Sequence, residues 1–140
     1  MASGIYSDFK GDLFEKQVDL GVAGDGLNVG LLSGAHSFTA SNTIWGDVSA
    51  NEIINQADTG YTANGAALAG KSVTTGTTTK FDATDTAWTT ATFTAAHAVI
   101  YDVSNTSSLI CSIDFGGDKT VSAGTFTIQW HTDGLITLSG

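Results

Sequence analysis

Residues 98–138 read AVIYDVSNTSSLICSIDFGGDKTVSAGTFTIQWHTDGLITL. The stretch consists of short runs of β-branched and aromatic residues, and each run is closed by a turn signal. The last two runs flank Asp133-Gly134, a dipeptide that favours a type I′ hairpin because both central residues of that turn need φ > 0. Apolar and polar side chains alternate from Thr125 to Trp130, which is typical of an antiparallel strand with one buried face. The stretch therefore predicts an all-β protein.

The composition agrees with one all-β domain that covers residues 1–140. The chain has 140 residues, of which 41% are hydrophobic, and this is enough to form a core. Only 14% of the residues are charged, well below the usual quarter, and there are 17 glycines and no proline. We predict a single antiparallel β-sandwich, jelly-roll-like, that carries a short N-terminal helix.

The charge balance argues against nucleic acid and membrane surfaces as partners. The chain has 14 acidic and 5 basic residues, a net charge of −9. Binding to phosphates needs a basic stripe, and the sequence has none. Charged residues interrupt the first 16 positions, so no leader peptide is predicted and the product is expected to stay soluble in a cytoplasm.

The N-terminal segment, residues 1–20, has helical periodicity that predicts a helix over residues 4–16. Ile5, Phe9 and Leu13 fall at i, i+4 and i+8, and Tyr6 and Phe14 lie beside them. We name Tyr6, Phe9, Leu13 and Phe14 as candidate interface residues, because an amphipathic helix on a sheet protein either closes the core or docks on a neighbour.

The rest of the chain reads as strands and turns. The apolar run Leu27–Leu32 predicts the first strand, and Ser49 to Glu52 fits a capping box that predicts one turn of helix. The glycine pair before Asp118 predicts a turn. The remaining predicted strands are Ala66–Thr74, Thr78–Phe81, Ala87–Phe93, Ala98–Val103, Leu109–Phe115, Val121–Trp130 and Leu135–Leu138.

One stretch matches the phosphate-loop pattern. Gly65–Ser72 fits G-x-x-x-x-G-K-[ST], and Ala98–Asp102 resembles an apolar strand that ends in a magnesium-binding aspartate. That chemistry needs a helix after the loop, because backbone N–H groups at the helix N-terminus hold the phosphates. Threonines and a glycine follow Ser72, so we predict a strand there and no nucleotide cofactor.

Other chemical groups are too sparse to form a recognisable site. His36, His97 and His131 form no H-x-x-x-H pair, and we predict no metal site and no catalytic residues. Cys111 lies in an apolar run and reads as a buried hydrophobe. Asp82 and Asp85 fit calcium ligation through carboxylates, but Asx turns explain them as well.

The tryptophans allow two interpretations. Trp130 belongs to the alternating strand and is predicted to fill the core. For Trp45 and Trp88 the sequence does not decide between two roles. Exposed aromatic rings would stack on carbohydrate, whereas buried rings would fill the core of the sandwich.

An ordered series of segments resembles a widespread group of small virion proteins of tailed bacteriophages, often found near capsid and tail genes. The matching segments are Gly4–Phe9, Leu27–Leu32, Trp45–Glu52, Thr59–Gly65, Val99–Asp102, Leu109–Phe115 and Ser122–Trp130. They are spread over nearly the whole chain, and the series carries the resemblance because no single motif is specific. Asn64-Gly65 departs from the Gly-Gly that is usual at that place.

The resemblance implies a non-enzymatic β-sandwich of the virion, expected to be a decoration (cement) protein on the capsid exterior. The expected partners are the major capsid protein lattice and further copies of the chain, as a dimer or trimer at local symmetry axes. Assembly is expected in the host bacterial cytoplasm. The alternative within the virion is a tail, fibre or receptor-binding (carbohydrate-binding) module. The alternative outside it is a free carbohydrate-binding or hydrolytic protein.

Overall fold

The computed structural model of the chain describes residues 3–55 and 60–140. These residues form one short helix, several single turns of 3₁₀-helix and β-strands. The strands are β1 (Gly4–Ile5), β2 (Leu27–Leu32), β3 (Ala66–Ala67), β4 (Ser72–Thr74), β5 (Thr78–Asp82), β6 (Thr86–Asp102), β7 (Ser108–Ile128) and β8 (Ile136–Ser139). Helix α1 is Ser7–Phe14, and the 3₁₀ turns are Trp45–Asp47, Ser49–Asn51 and Ile53–Asn55.

The strands make two antiparallel sheets. The order is β1-β7-β6-β2-β3 in the five-stranded sheet and β4-β5-β8 in the three-stranded sheet. The prediction of an all-β sandwich with a short N-terminal helix is therefore confirmed. The predicted bounds of the first strand, Leu27–Leu32, are confirmed as well.

A single long hairpin forms the centre of the larger sheet. Strands β6 and β7 pair from Thr86 opposite Ile128 to Asp102 opposite Ser108. The turn between them has positive φ at Thr106 and Ser107. We predicted two separate strands on each side of this hairpin, and that division was wrong.

A wide bulge replaces the predicted turn before Asp118. Between the pairs Ala95–Lys119 and His97–Asp114, two residue steps in β6 oppose five in β7. Gly116 and Gly117 take up the excess with φ of +76° and +131°. Glycine pairs allow positive φ in bulges as well as in turns. The glycine pair therefore predicted where the strand is irregular, but not that a bulge forms there.

The predicted hairpin at Asp133-Gly134 does not form. Strand β8 pairs with β5, where Phe81 lies opposite Ile136, and β7 ends in the other sheet. The N–H of Gly134 donates to the carbonyl of His131 at 2.8 Å, and Gly134 has φ +97° whereas Asp133 keeps a negative φ. A type I′ turn needs positive φ at both central residues, and this turn instead carries the chain from one sheet to the other.

Two further boundaries differ from the prediction. The predicted strand Ala66–Thr74 is split between the two sheets as β3 and β4, and Gly70 with φ +63° redirects the chain between them. The helix predicted over residues 4–16 begins only at Ser7, because Gly4 and Ile5 pair with β7 as β1.

Apolar side chains fill both faces of the larger sheet. Between the sheets, Val29 and Ile100 belong to the same cluster as Phe81 and Ile136 of the smaller sheet. On the opposite face a second cluster contains Tyr6, Leu32, Trp45, Val48, Val99, Tyr101 and Leu109. Strand β2 and the second half of β6, residues 95–102, are therefore buried on both sides. Among the described residues, no helix has the length and apolarity needed to cross a membrane.

Candidate interaction surfaces

The four candidate interface residues of the N-terminal segment separate into two groups. Tyr6 and Phe9 are buried in the two core clusters, so their side chains do not form an accessible surface of the folded chain. Leu13 is half-buried against the main cluster. Phe14 is 91% exposed, and it is the most exposed large hydrophobic residue described. The interface prediction stays a prediction for Leu13 and Phe14.

The tryptophans lie inside the fold. Trp45, Trp88 and Trp130 are 7%, 6% and 9% exposed. The indole N–H of Trp130 donates to the carbonyl of Thr84 at 3.0 Å, and that of Trp45 donates to the side-chain oxygen of Asn64 at 3.2 Å. The ring faces are covered by protein, so the exposed aromatic platform that would favour carbohydrate stacking does not form from these residues.

The phosphate-loop pattern Gly65–Ser72 is part of the connection between the sheets. Ser72 begins β4, so a strand follows the loop, as predicted. The ammonium group of Lys71 donates to the backbone carbonyl of Asp25. Lys71 therefore holds two loops together, and no helix N-terminus stands behind it.

The acidic residues Asp82 and Asp85 each accept a backbone N–H group. A carboxylate oxygen of Asp82 accepts the N–H of Ala83, and one of Asp85 accepts the N–H of Trp130, at 2.8 and 2.9 Å respectively. Neither bond closes an Asx turn, in which the side chain accepts the N–H two residues further on, so the turn interpretation stays a prediction. No group of three or more metal-binding side chains occurs within residues 3–55 and 60–140.

Two of the histidines form a buried pair. The rings of His36 and His97 meet edge to face with centroids 5.0 Å apart. The Nε2 atom of His36 lies 3.3 Å from the hydroxyl of Ser112. Burial lowers the pKa of both rings, and the neighbouring ring lowers that of His36 further, while the Asp114 carboxylate opposes the shift at His97. The pair is held neutral inside the fold.

Cys111 and His131 occupy opposite environments. Burial raises the pKa of the Cys111 thiol to about 12, which makes it an inert core residue as predicted. His131 is solvent-exposed, and its Nδ1 atom lies 3.4 Å from a carboxylate oxygen of Asp133.

A buried polar network that the sequence analysis missed fixes the loops on the outer face of the larger sheet. The carboxylate of Glu52 accepts the hydroxyl proton of Tyr61 at 2.7 Å and the N–H of Asn64 at 2.6 Å. The carbonyl of Asn64 accepts the hydroxyl of Tyr101 at 2.6 Å. The predicted turn of helix is present at Ser49–Asn51, but Glu52 serves this network and not a capping box. No sequence spacing distinguishes the two roles.

A second buried acid was also missed. Asp102 is fully buried at the end of β6, where one carboxylate oxygen accepts the N–H groups of Ser104 and Asn105. Burial raises the pKa of Asp102 to about 6, and the adjacent carboxyl group of Asp25 adds to the shift. The Asp102 carboxyl group therefore joins the turn between β6 and β7 to the loop before β2.

Two apolar grooves lie on the surface formed by residues 3–55 and 60–140. The first, which we call the β7 groove, has a volume of about 690 Å³ and follows β7 and the connection to β8. Its apolar wall consists of Cys111, Ile113, Phe115, Phe126, Ile128, Trp130 and Leu135, and its polar rim includes Lys119, Gln129 and His131. The second, which we call the helix groove, has a volume of about 530 Å³ and lies between α1 and the smaller sheet, with Leu13, Val73 and Leu138 along it.

When the chain is compared with family models, with curated proteins and with solved structures, none of them matches it.

Proposed function

We propose that this chain is a non-enzymatic virion protein of a tailed bacteriophage, and that it decorates the capsid exterior. The observation that carries the proposal is the ordered series of segments from Gly4 to Trp130 that resembles small virion proteins. The character of the surface supports it. The β7 groove and the helix groove expose apolar side chains, and such exposed apolar surface is typical of protein–protein contacts.

The architecture also suits a lattice-bound protein. The central hairpin is covered on both faces near its turn, and the Glu52 network holds the covering loops in place. Such a body presents fixed surfaces to a shell and loses little conformational freedom on binding. Because many copies bind a symmetric lattice, a modest contact per copy is sufficient for stable decoration.

Stabilisation of the shell follows from mass action. A protein that binds the assembled lattice and not the free subunits shifts the equilibrium towards the shell. The net charge of −9 keeps the unbound protein soluble and disfavours contact with the packaged nucleic acid.

The test is to mix the purified chain with capsids of the same phage that lack it, and to examine the particles by cosedimentation and cryo-electron microscopy. We expect density for the sandwich at regular positions over the shell, and a higher temperature of shell disruption. Density confined to the tail would favour the receptor-binding alternative instead. Absence of the chain from both capsids and native virions would refute a virion role.

A further inference from the structure

The end of α1 presents an aromatic side chain beside an acidic stripe. Phe14 is 91% exposed, while its neighbour Leu13 turns towards the helix groove. Asp8, Asp12 and Glu15 follow at i, i+4 and i+7, so they lie along one side of the helix. Within residues 3–55 and 60–140, none of these carboxylates forms an ion pair.

Asp12 lies between Asp8 and Glu15 on this side of the helix, so the three charges repel one another. Partial burial, followed by the charges of Asp8 and Glu15, raises the pKa of Asp12. A cation supplied from outside the helix would relieve this repulsion, whereas burial of the stripe without one would increase it.

The β7 groove has the complementary character. Its wall is apolar, and among the described residues that line it there is no carboxylate, although the chain contains 14 acidic residues. Lys119 stands on its rim, and its ammonium group forms neither a hydrogen bond nor an ion pair with any part of the chain that the structure describes. The groove therefore fits an apolar side chain that is flanked by negative charge.

The groove also lies beside an open sheet edge. Strand β1 pairs with β7 only at Cys111 and Ser112, and beyond that point no described strand covers the outer edge of β7. The bulges at Gly116 and Ala123, together with the Asp118-Lys119 charges, discourage a second strand from adding along this edge. A single inserted side chain meets no such obstacle.

We propose that Phe14 of one copy inserts into the β7 groove of a second copy, with Glu15 of the first opposite Lys119 of the second. The two surfaces are different, so the contact is head-to-tail, and it generates a closed ring when the rotation between copies closes. An aromatic ring in an apolar pocket with a charged pair at the rim is the usual composition of an energetically dominant contact. The inference does not rest on the proposed function, because it concerns the chain in free solution.

The first test compares oligomeric state by sedimentation over a range of protein concentration. We expect the unmodified chain to form a species that is a multiple of 14.4 kDa, and Phe14→Ser to sediment as the monomer. Leu138→Ser is the matched control, because Leu138 is also exposed but lies in the helix groove, and its oligomeric state should be unchanged. Thermal unfolding should show that both variants remain folded.

The second test reverses the charges. Glu15→Lys and Lys119→Glu should each weaken association by about fivefold, and the double variant should recover most of the loss. A double variant that associates no better than either single one would overturn the proposed pairing. A monomeric unmodified chain, or an oligomer that persists in Phe14→Ser, would overturn the contact itself. If the chain is monomeric and Phe14→Ser abolishes capsid binding, Phe14 contacts the shell and the self-contact is refuted.

Discussion

The indole ring of Trp45 stacks on the phenol ring of Tyr101, with centroids 4.5 Å apart and ring planes only 13° apart. The stack covers β2 at Gly30, whose missing side chain leaves the space that the indole occupies. A Cβ atom at this position would overlap the indole ring. Glycine is thus required in the middle of a central strand by a close approach, although its φ is ordinary for a strand.

Gly30→Ala should therefore destabilise the protein by about 2–3 kcal/mol, because the trapped indole cannot move away without breaking the stack. Denaturant unfolding followed by tryptophan fluorescence measures the effect. Gly11→Ala is the matched control, since a Cβ atom there meets nothing within 4 Å and Gly11 lies in α1. It should stabilise the protein by about 0.5–1 kcal/mol. Equal effects of the two substitutions would contradict the packing described for Trp45.

Removal of the Tyr61 hydroxyl tests the network around Glu52. The hydroxyl donates to the Glu52 carboxylate and accepts the N–H of Leu31 at 3.0 Å, so Tyr61→Phe leaves two buried groups without their partner. We expect a loss of about 2 kcal/mol in the free energy of unfolding. In a double-mutant cycle with Glu52→Gln, the effects should be non-additive by at least about 0.5 kcal/mol. Strict additivity would mean that the two groups do not interact.

The parts of the fold that could be predicted depend on local patterns. The alternation from Thr125 to Trp130 indicated which side chains face the core, and Phe126, Ile128 and Trp130 are indeed the less exposed set. The threonines after Ser72 correctly indicated a strand. In each case the preference is carried by neighbouring residues, so no knowledge of distant partners is needed.

The parts that could not be predicted depend on distant partners. Asp133-Gly134 permits a hairpin, but the burial of Ile136 opposite Phe81 decides that β8 joins the other sheet. Helical periodicity gave an apolar face to the N-terminal segment, yet it did not distinguish buried Phe9 from exposed Phe14. The role of Glu52 depends on Tyr61 and Asn64, which become its neighbours only after folding.

The His36–His97 pair should make the protein sensitive to mild acid. Burial lowers the pKa of both rings below the ordinary histidine value of 6.5, so the unfolded chain binds protons more readily than the folded chain. The stability that the neutral pair provides is complete above that value, and it is lost as the pH falls below 6.5. Thermal unfolding between pH 7.5 and 5, a range of about 2.5 units around the histidine pKa, measures this loss.

Two variants separate the buried pair from the exposed histidine. His36→Gln is expected to flatten the fall in melting temperature between neutral and mildly acidic pH, whereas His131→Gln should preserve it, because His131 is exposed to solvent. If His131→Gln flattened the profile and His36→Gln did not, the acid sensitivity would have to come from the surface.

Asp102 should contribute a pH dependence of the opposite sign. Its folded pKa of about 6 exceeds the ordinary aspartate value of 3.8, so the folded chain holds the proton more tightly and the free energy of unfolding declines as the pH rises from about 4 to about 6. Asp102→Asn retains an oxygen that accepts the N–H groups of Ser104 and Asn105 but carries no charge beside Asp25. We therefore expect the variant to be more stable than the unmodified chain at pH 7, by about 1 kcal/mol, and equally stable near pH 4.

Asp118→Asn, at an exposed position, should show no such gain in denaturant unfolding at pH 7. A loss of stability in Asp102→Asn at neutral pH would mean that the carboxylate stabilises the hairpin turn as an anion.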